Sequence, residues 1–248
     1  MKSIVDIIKY FSNKYNGDFK QIRNAIMEKE KITISDVEES VEALNCNTVT
    51  VLETTYPYQF KDLLKPPFVI YYYGDLSLIN GNTFEIYSDT KYDKNIKYIV
   101  SRIVKNYVVV VIGKSVMEAE IIKECMKNDR PFIYINDSNS FYELDNNIQE
   151  YIKTKGLVID ERPFENDRGN LRQIGGWSKF ALLIDVEVGS KKYNDMTTSM
   201  LIGKGVVMCL PSEKLGKSIN NILLKDNAVL VECFKDIKEI VDKVTGEL

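Results

Sequence analysis

"VVVVIGKSVMEAE", residues 108 to 120, is the stretch on which the fold turns. Its opening, Val-Val-Val-Val-Ile, is a continuous β-branched run that reads as a buried strand. Gly113 then permits a tight bend, and the residues after it read as a helix. The Gly113-Lys114-Ser115 triplet invites comparison with a phosphate-gripping P-loop, G-x-x-x-x-G-K-[ST]. That pattern requires another glycine where Val108 stands, so that a long loop of backbone N–H groups can wrap the phosphates. Here the chain from 108 to 112 is the strand itself, and no cradle is left to form. Two readings of the turn remain: a structural bend, or a simple anion site made by Gly113, Lys114 and Ser115 at a helix N-terminus.

Similar apolar runs recur from about residue 46 onward: TVTVLE, FVIYYYG, FEIYS, PFIYI, GLVID, FALLIDV, GVVMCL and AVLVE. Stretches such as 91–106, 114–128, 194–203 and 215–226 separate them and are long enough for right-handed helical crossovers. The pattern predicts an α/β fold with an open, doubly wound, mostly parallel sheet, whose ligands sit beyond the carboxyl ends of the strands. The loops after Ser88, Ile112, Ile135, Asp160, Val186 and Leu210 are therefore the candidate rim of a site. The head of the chain has a different period. Ile4, Ile7, Ile8 and Phe11 share a helical face, followed by Phe19, Ile22 and Ile26 and then by Val37, Val41 and Leu44. Ser35 with Glu38 predicts a capping box before the last of these helices. The expected organisation is a small helical domain over 1–45 and a sheet domain over 46–248.

The 248 residues, 44% hydrophobic and 28% charged, suffice to bury a substantial core. Near the N-terminus Asp6, Lys9 and other polar residues interrupt every apolar pair, which predicts neither a signal peptide nor a membrane span, and hence a cytoplasmic protein. Cys46, Cys125, Cys209 and Cys233 form no C-x-x-C pair and read as buried thiols. The chain contains no histidine. Its absence excludes Ser-His-Asp and Cys-His catalysis, and leaves carboxylates, lysine, tyrosine or a bound metal to any enzyme on this scaffold. Asp160 and Glu161 end one expected strand and Asp185 and Glu187 another, where alternation sends the last two to one side. No activated nucleophile accompanies them, so no catalytic residue, metal or cofactor is expected. The net charge of −3 gives no global attraction to nucleic acid, although a local basic patch is compatible with it.

One segment, "TYPYQFKDLLKPPFVIYYYGDLSLI" at 55–79, resembles the opening of the nucleotide-binding-like domain of the DNA processing protein A (DprA, or Smf) family, Y-P-x-x-L-K-x-x-x-x-P-P-x-V-L-Y-x-x-G-D-L. Tyr56, Pro57, Lys61, Pro66, Pro67, Val69, Tyr71, Gly74, Asp75 and Leu76 match in register. The prolines act on the backbone, stopping any helix and delivering extended chain into the strand. Further on, "GLVIDERP" is similar to G-L-L-I-S-E-Y-P and "RGNLRQIGGWSKFALLIDV" to R-N-R-I-I-A-G-L-S-x-x-x-L-V-V-E-A. "MTTSMLIGKGVVMCLPS" is similar to I-T-A-x-x-A-L-x-x-G-R-x-V-F-A-V-P-G, and "NNILLKDNAVLVE" to N-x-L-I-x-x-G-A. The resemblance spans most of 46–232 and implies an extended Rossmann-like sheet preceded by a small helical domain.

The departures bear on function. The family's G-S-R-x-x-S-x-Y-G loop grips DNA phosphate; here "YSDTKYDKN" keeps Ser88 but has Tyr87 for glycine and Asp89 for arginine. A carboxylate there repels phosphate. The family's S-G-x-A-x-G-I-D-x-x-A-H is reduced to "IGKSVMEAE", with Gly113 as the turn glycine. In the R-N-R element the first arginine falls on Asn170 and the second on Arg172, with Arg168 two residues early. Guanidinium groups hold phosphate bidentately, and the alternative is a solvated basic loop. Lys179, Lys191, Lys192 and Lys204 add positive charge. Trp177 is either a stacking platform for a base or a core anchor before a buried strand.

The resemblance implies a non-catalytic protein of transformation and recombination that binds single-stranded DNA, helps load a RecA-type recombinase and commonly forms a homodimer. On that implication the phosphate-binding set is Ser88, Lys91, Gly113, Lys114, Ser115, Arg168, Asn170, Arg172 and Lys179. The departures leave a second reading, a degenerate paralogue whose site takes a nucleotide-like ligand or a protein partner. A phosphoribohydrolase-like enzyme on the same fold is a third.

Overall fold

The computed structural model describes residues 3–61, 63, 65–90, 92–113, 115–137, 139–164, 177–194, 205–212, 218–226 and 228–246. Among them the strands are β1 (Asn47–Thr50), β2 (Val69–Gly74), β3 (Thr83–Ser88), β4 (Val108–Ile112), β5 (Phe132–Ile135), β6 (Leu157–Asp160), β7 (Phe180–Ile184), β8 (Val206–Cys209) and β9 (Val229–Leu230). Every apolar run read from the sequence supplies one of them. They form a single sheet in the order β1-β2-β6-β5-β4-β3-β7-β8-β9. Parallel pairing joins β3 to β4 and β7, β7 to β8 and β8 to β9. The antiparallel pairs are β1 with β2 and β2 with β6, so the sheet is mixed at that end. The expected Rossmann-like α/β architecture is the one observed.

The chain divides into two compact units, Met1–Leu76 with Tyr134–Ile174, and Ser77–Ile133 with Gly175–Leu248. In the first unit the head comprises α1 (Ile4–Lys14), α2 (Phe19–Met27) and α3 (Ile34–Glu42). Phe11, Ile22 and Ala25 form its core, with Phe68 packed against them. Burying Phe11 and Ile22 contributes about 2 kcal/mol each. Ile4, expected on that inner face, is exposed. The capping box of α3 lies two residues before the expected one: Thr33 Oγ1 accepts the Asp36 N–H at 3.1 Å and Asp36 returns the bond to the Thr33 N–H at 3.2 Å. Ser35 is already helical, and its hydroxyl donates to Glu39 at 3.0 Å.

The motif residues of 55–79 hold the chain in place. Tyr56 is buried and donates its hydroxyl to the Pro67 carbonyl at 2.8 Å, clasping the single-turn helix α4 (Tyr58–Lys61) against the entry to β2. Gly74 has φ +93°, and a Cβ on it would lie 2.1 Å from the Gly156 carbonyl oxygen, so only glycine fits beside the start of β6. The same carbonyl accepts the Asp75 N–H at 2.9 Å.

In the second unit Phe84 on β3 stacks against Tyr107 and Phe180 at 4.8 and 4.9 Å. The crossover helix α5 (Lys94–Asn106) is capped by Asp93 and buries Ile96, Ile99, Val100, Ile103 and Val104, a helical stripe facing the sheet. The next helix, α6 (Val116–Lys127), follows β4 as the opening stretch predicts. Within 215–226 the described helix is a single turn, Asn220–Leu223. Of the four cysteines only Cys125 and Cys209 are buried, and burial pushes both thiols up to about 12; Cys233 is exposed.

Candidate functional site

In the second unit the pairings Ser88↔Ile184 and Leu183↔Cys209 bring the carboxyl ends of β3, β7 and β8 to one edge. With β4 parallel beside β3, its end lies there too. This edge is built largely from the chain's own carboxylates. Asp89, in the position of the family arginine, accepts the Glu187 N–H at 2.9 Å and the Ser190 hydroxyl at 2.6 Å. It therefore fills a pair of donors that would otherwise suit an incoming anion. At the start of α6, Ser115 donates its hydroxyl to Glu118, and Lys192 forms an ion pair with the same carboxylate. Glu118 is only 3% exposed, so the field of the helix N-terminus acts on an internal anion. Beside it Tyr87 donates to Glu85 at 2.5 Å, both groups buried. A cavity of about 10 Å3 between Glu85, Tyr87, Glu118 and Lys192 has room for one water.

The ends of β7 and β8 are tied by Asn220. It is fully buried, donates to the carbonyls of Leu183 and Leu210 at 2.9 and 2.8 Å, and accepts the Val186 N–H at 3.2 Å. Strand alternation stops at Asp185, whose φ of +53° is left-handed. Its carboxylate accepts the Ser212 hydroxyl at 2.5 Å, while Glu187 bridges to Ser218. The sequence-based expectation that Asp185 and Glu187 project together from a regular strand is thus corrected.

Among the expected phosphate-binding residues, Ser88, Gly113 and Ser115 lie at this edge. Ser88 is buried and its Oγ accepts the Thr90 N–H at 3.2 Å; Gly113 has φ +83° and forms the turn into α6. Lys179 is not brought to them. It precedes β7, its N–H donates to Thr83 Oγ1 at 3.1 Å, and its ammonium donates to the Asn80 carbonyl at 3.3 Å. That is the opposite end of β3, about 16 Å from Ser88 at the rise of a strand. Lys91, Lys114, Arg168, Asn170 and Arg172 lie outside the described residues. Trp177 is 7% exposed, in keeping with a core anchor. Sequence reasoning missed Glu118, although S-x-x-E at the start of a helix is a readable spacing. Nothing local signalled its pairing with Lys192.

The first unit carries a different strand-end acid. Asp160 closes β6 at 1% exposure and accepts the Asn136 amide at 2.8 Å, the Arg162 N–H at 2.9 Å and the Arg162 Nε at 3.3 Å. Burial pushes its carboxyl up to about 7, against the pull of the Arg162 guanidinium and the hydrogen bonds. Next to it the carbonyl of Glu161 approaches Gly17, where φ is +70° and a Cβ would sit 2.3 Å away.

Among the described residues no group of three or more Cys, Asp or Glu is arranged to hold a metal ion, and no helix is long and apolar enough to cross a membrane. No protein-family model matches the chain, and no curated protein matches it. Solved structures do, among them two of DNA processing protein A. The X-ray structure of DNA processing protein A from Streptococcus pneumoniae aligns with a TM-score of 0.71 and 14% identity, over 96% of this chain and 98% of that one. The Helicobacter pylori DNA processing protein A, described for its single-stranded DNA binding mode, aligns with a TM-score of 0.60 and 18% identity, over 80% of this chain and 97% of that one. From the helical head to the last strand, the chain has the fold of DNA processing protein A.

Proposed function

We propose that the chain is a DprA-like DNA-processing protein that binds single-stranded DNA without reacting with it, acting as a homodimer with a RecA-type recombinase. The observation that carries this reading is the end-to-end correspondence of fold, 96% of this chain with 98% of the pneumococcal protein. Phosphate contacts fall to Ser88, Lys91, Gly113, Lys114, Ser115, Arg168, Asn170 and Arg172, with Lys179 touching a different part of the strand. The test is fluorescence anisotropy of labelled oligo-dT and a matched duplex at two salt concentrations. Single-strand binding should weaken with salt, because phosphate neutralisation releases counterions. It should collapse in the Arg168→Ala, Arg172→Ala double variant. Absence of binding at low salt overturns the proposal.

A second reading is favoured by one feature, the occupation of the strand-end donors by Asp89 and Glu118. A paralogue closed in this way would bind a nucleotide-like ligand or a protein partner instead of a DNA backbone. Salt-insensitive binding of a mononucleotide, with no oligonucleotide binding, selects it.

A further inference from the structure

The first unit holds a cleft of about 160 Å3, with Asn13, Asn45, Cys46, Tyr73, Pro163 and Phe164 among its lining residues. Pro163 and Phe164 lie in the loop after Asp160, the others away from the strand-end rim, and among the described residues none that lines the cleft carries a formal charge. A lining without formal charge suits a neutral ligand. One wall is aromatic and already ordered. Tyr73 packs on Phe164 at 4.9 Å and on Phe141 at 6.4 Å, with the Lys153 ammonium 5.4 Å from its ring centre. A wall fixed before binding loses little entropy when a ring is laid against it.

The polar part of the lining consists of amides. Asn13 donates its amide N–H to Ser40 at 2.9 Å, which leaves its carbonyl oxygen as an acceptor. Asn45 is solvent-exposed and its side chain has no hydrogen-bond partner among the described residues, so it offers both a donor and an acceptor. Paired donors and acceptors in one plane are what the edge of a nucleobase presents. The volume agrees: a cavity near 150 Å3 holds about one benzene-sized ring. A base fits while its sugar stays outside, beyond the exposed Ala43 and Asn45.

We propose that this cleft is a binding site for a single nucleobase, stacked against the Tyr73 and Phe164 wall and read on its edge by Asn45 and Asn13. The base comes either from a free nucleoside or from an exposed position in a single strand. The inference does not depend on phosphate contacts at the strand-end rim. Its test uses saturation-transfer NMR of the full chain with each of the four deoxynucleosides. Parallel titrations use oligo-dT and the same oligonucleotide carrying abasic positions. Wild type should bind at least one nucleoside, with little dependence on salt, and the exposed-site variant Asn45→Leu should weaken it about tenfold, the equivalent of one good hydrogen bond. Tyr73→Leu should weaken it at least as much. If abasic positions also weaken oligonucleotide binding, and Asn45→Leu erases that difference, the base comes from a strand. If abasic positions have no effect, it comes from a free nucleoside, and the cleft stands even where the DNA-binding reading falls. No nucleoside binding, or binding unchanged in both variants, overturns the proposal.

Discussion

Asp89 and Asp160 both stand at the carboxyl end of a strand, and their surroundings differ. Asp89, after β3, is exposed and bridges two neutral donors of the 187–190 turn. Asp160, at the end of β6, is 1% exposed and faces Arg162 and Asn136. Within reach of water a carboxylate needs no counter-charge and serves as a clasp. In the interior it needs a guanidinium, and even then burial raises its pKa toward neutrality. Depth, more than residue type or topological position, decides what a strand-end acid does.

The largest test of this contrast is Asp160→Ala. It removes the buried carboxylate that the Arg162 guanidinium engages, and a loss of about 3–5 kcal/mol is expected in urea unfolding at pH 8, above the pKa of Asp160. A loss below about 1 kcal/mol would place Asp160 in the same class as Asp89. Gly17→Ala, which forces a Cβ onto the Glu161 carbonyl at a left-handed φ, should cost about 2 kcal/mol or more by the same measurement. Glu118→Gln removes the charge that Lys192 and Ser115 engage, and should cost about 1–3 kcal/mol. Asp89→Asn keeps an acceptor in an exposed place and should cost about 1 kcal/mol or less. Combining Asp89→Asn with Glu118→Gln removes two negative charges from this edge, so oligonucleotide anisotropy should show tighter, salt-dependent binding than wild type.

The remaining test is a slope. The folded-state pKa of Asp160, about 7, lies above its ordinary value of 3.8, so between those values the native state binds more protons than the unfolded one. The contribution of this group is therefore fully present below pH 3.8 and is lost as pH rises to about 7. Denaturation midpoints taken across that window should decline less steeply with pH in Asp160→Asn than in wild type. Equal slopes would show that Asp160 is ionised in the fold throughout.

The frame of the molecule was legible because its signals are local. The β-branched run at 108–112 and the helical stripe from Ile96 to Val104 each contain their own period. Pro67 and Gly74 likewise carry their reasons in the backbone. The site was less legible because its pairs are distant: Glu118 meets Lys192 across 74 positions, and Asp89 meets Ser190 across 101. No window of sequence contains both partners. The capping box at Thr33 was missed for another reason, since Ser35 with Glu38 satisfies the same pattern two residues along and only the backbone decides between them. Asp185 broke the alternation argument because a left-handed residue ends a strand without announcing itself in side-chain type.

The lack of histidine gives the buried Asp160 one more consequence. At about pH 6 the folded chain holds this carboxyl mostly protonated, whereas the unfolded chain holds it ionised. Unfolding at that pH therefore releases a proton from this group into the buffer. The heat recorded in a scanning calorimeter then includes the buffer's own heat of protonation, and differs between imidazole and phosphate at the same pH. A strand-end aspartate thus takes the thermodynamic part that a histidine usually plays in proteins, and calorimetry in two buffers can read its proton directly.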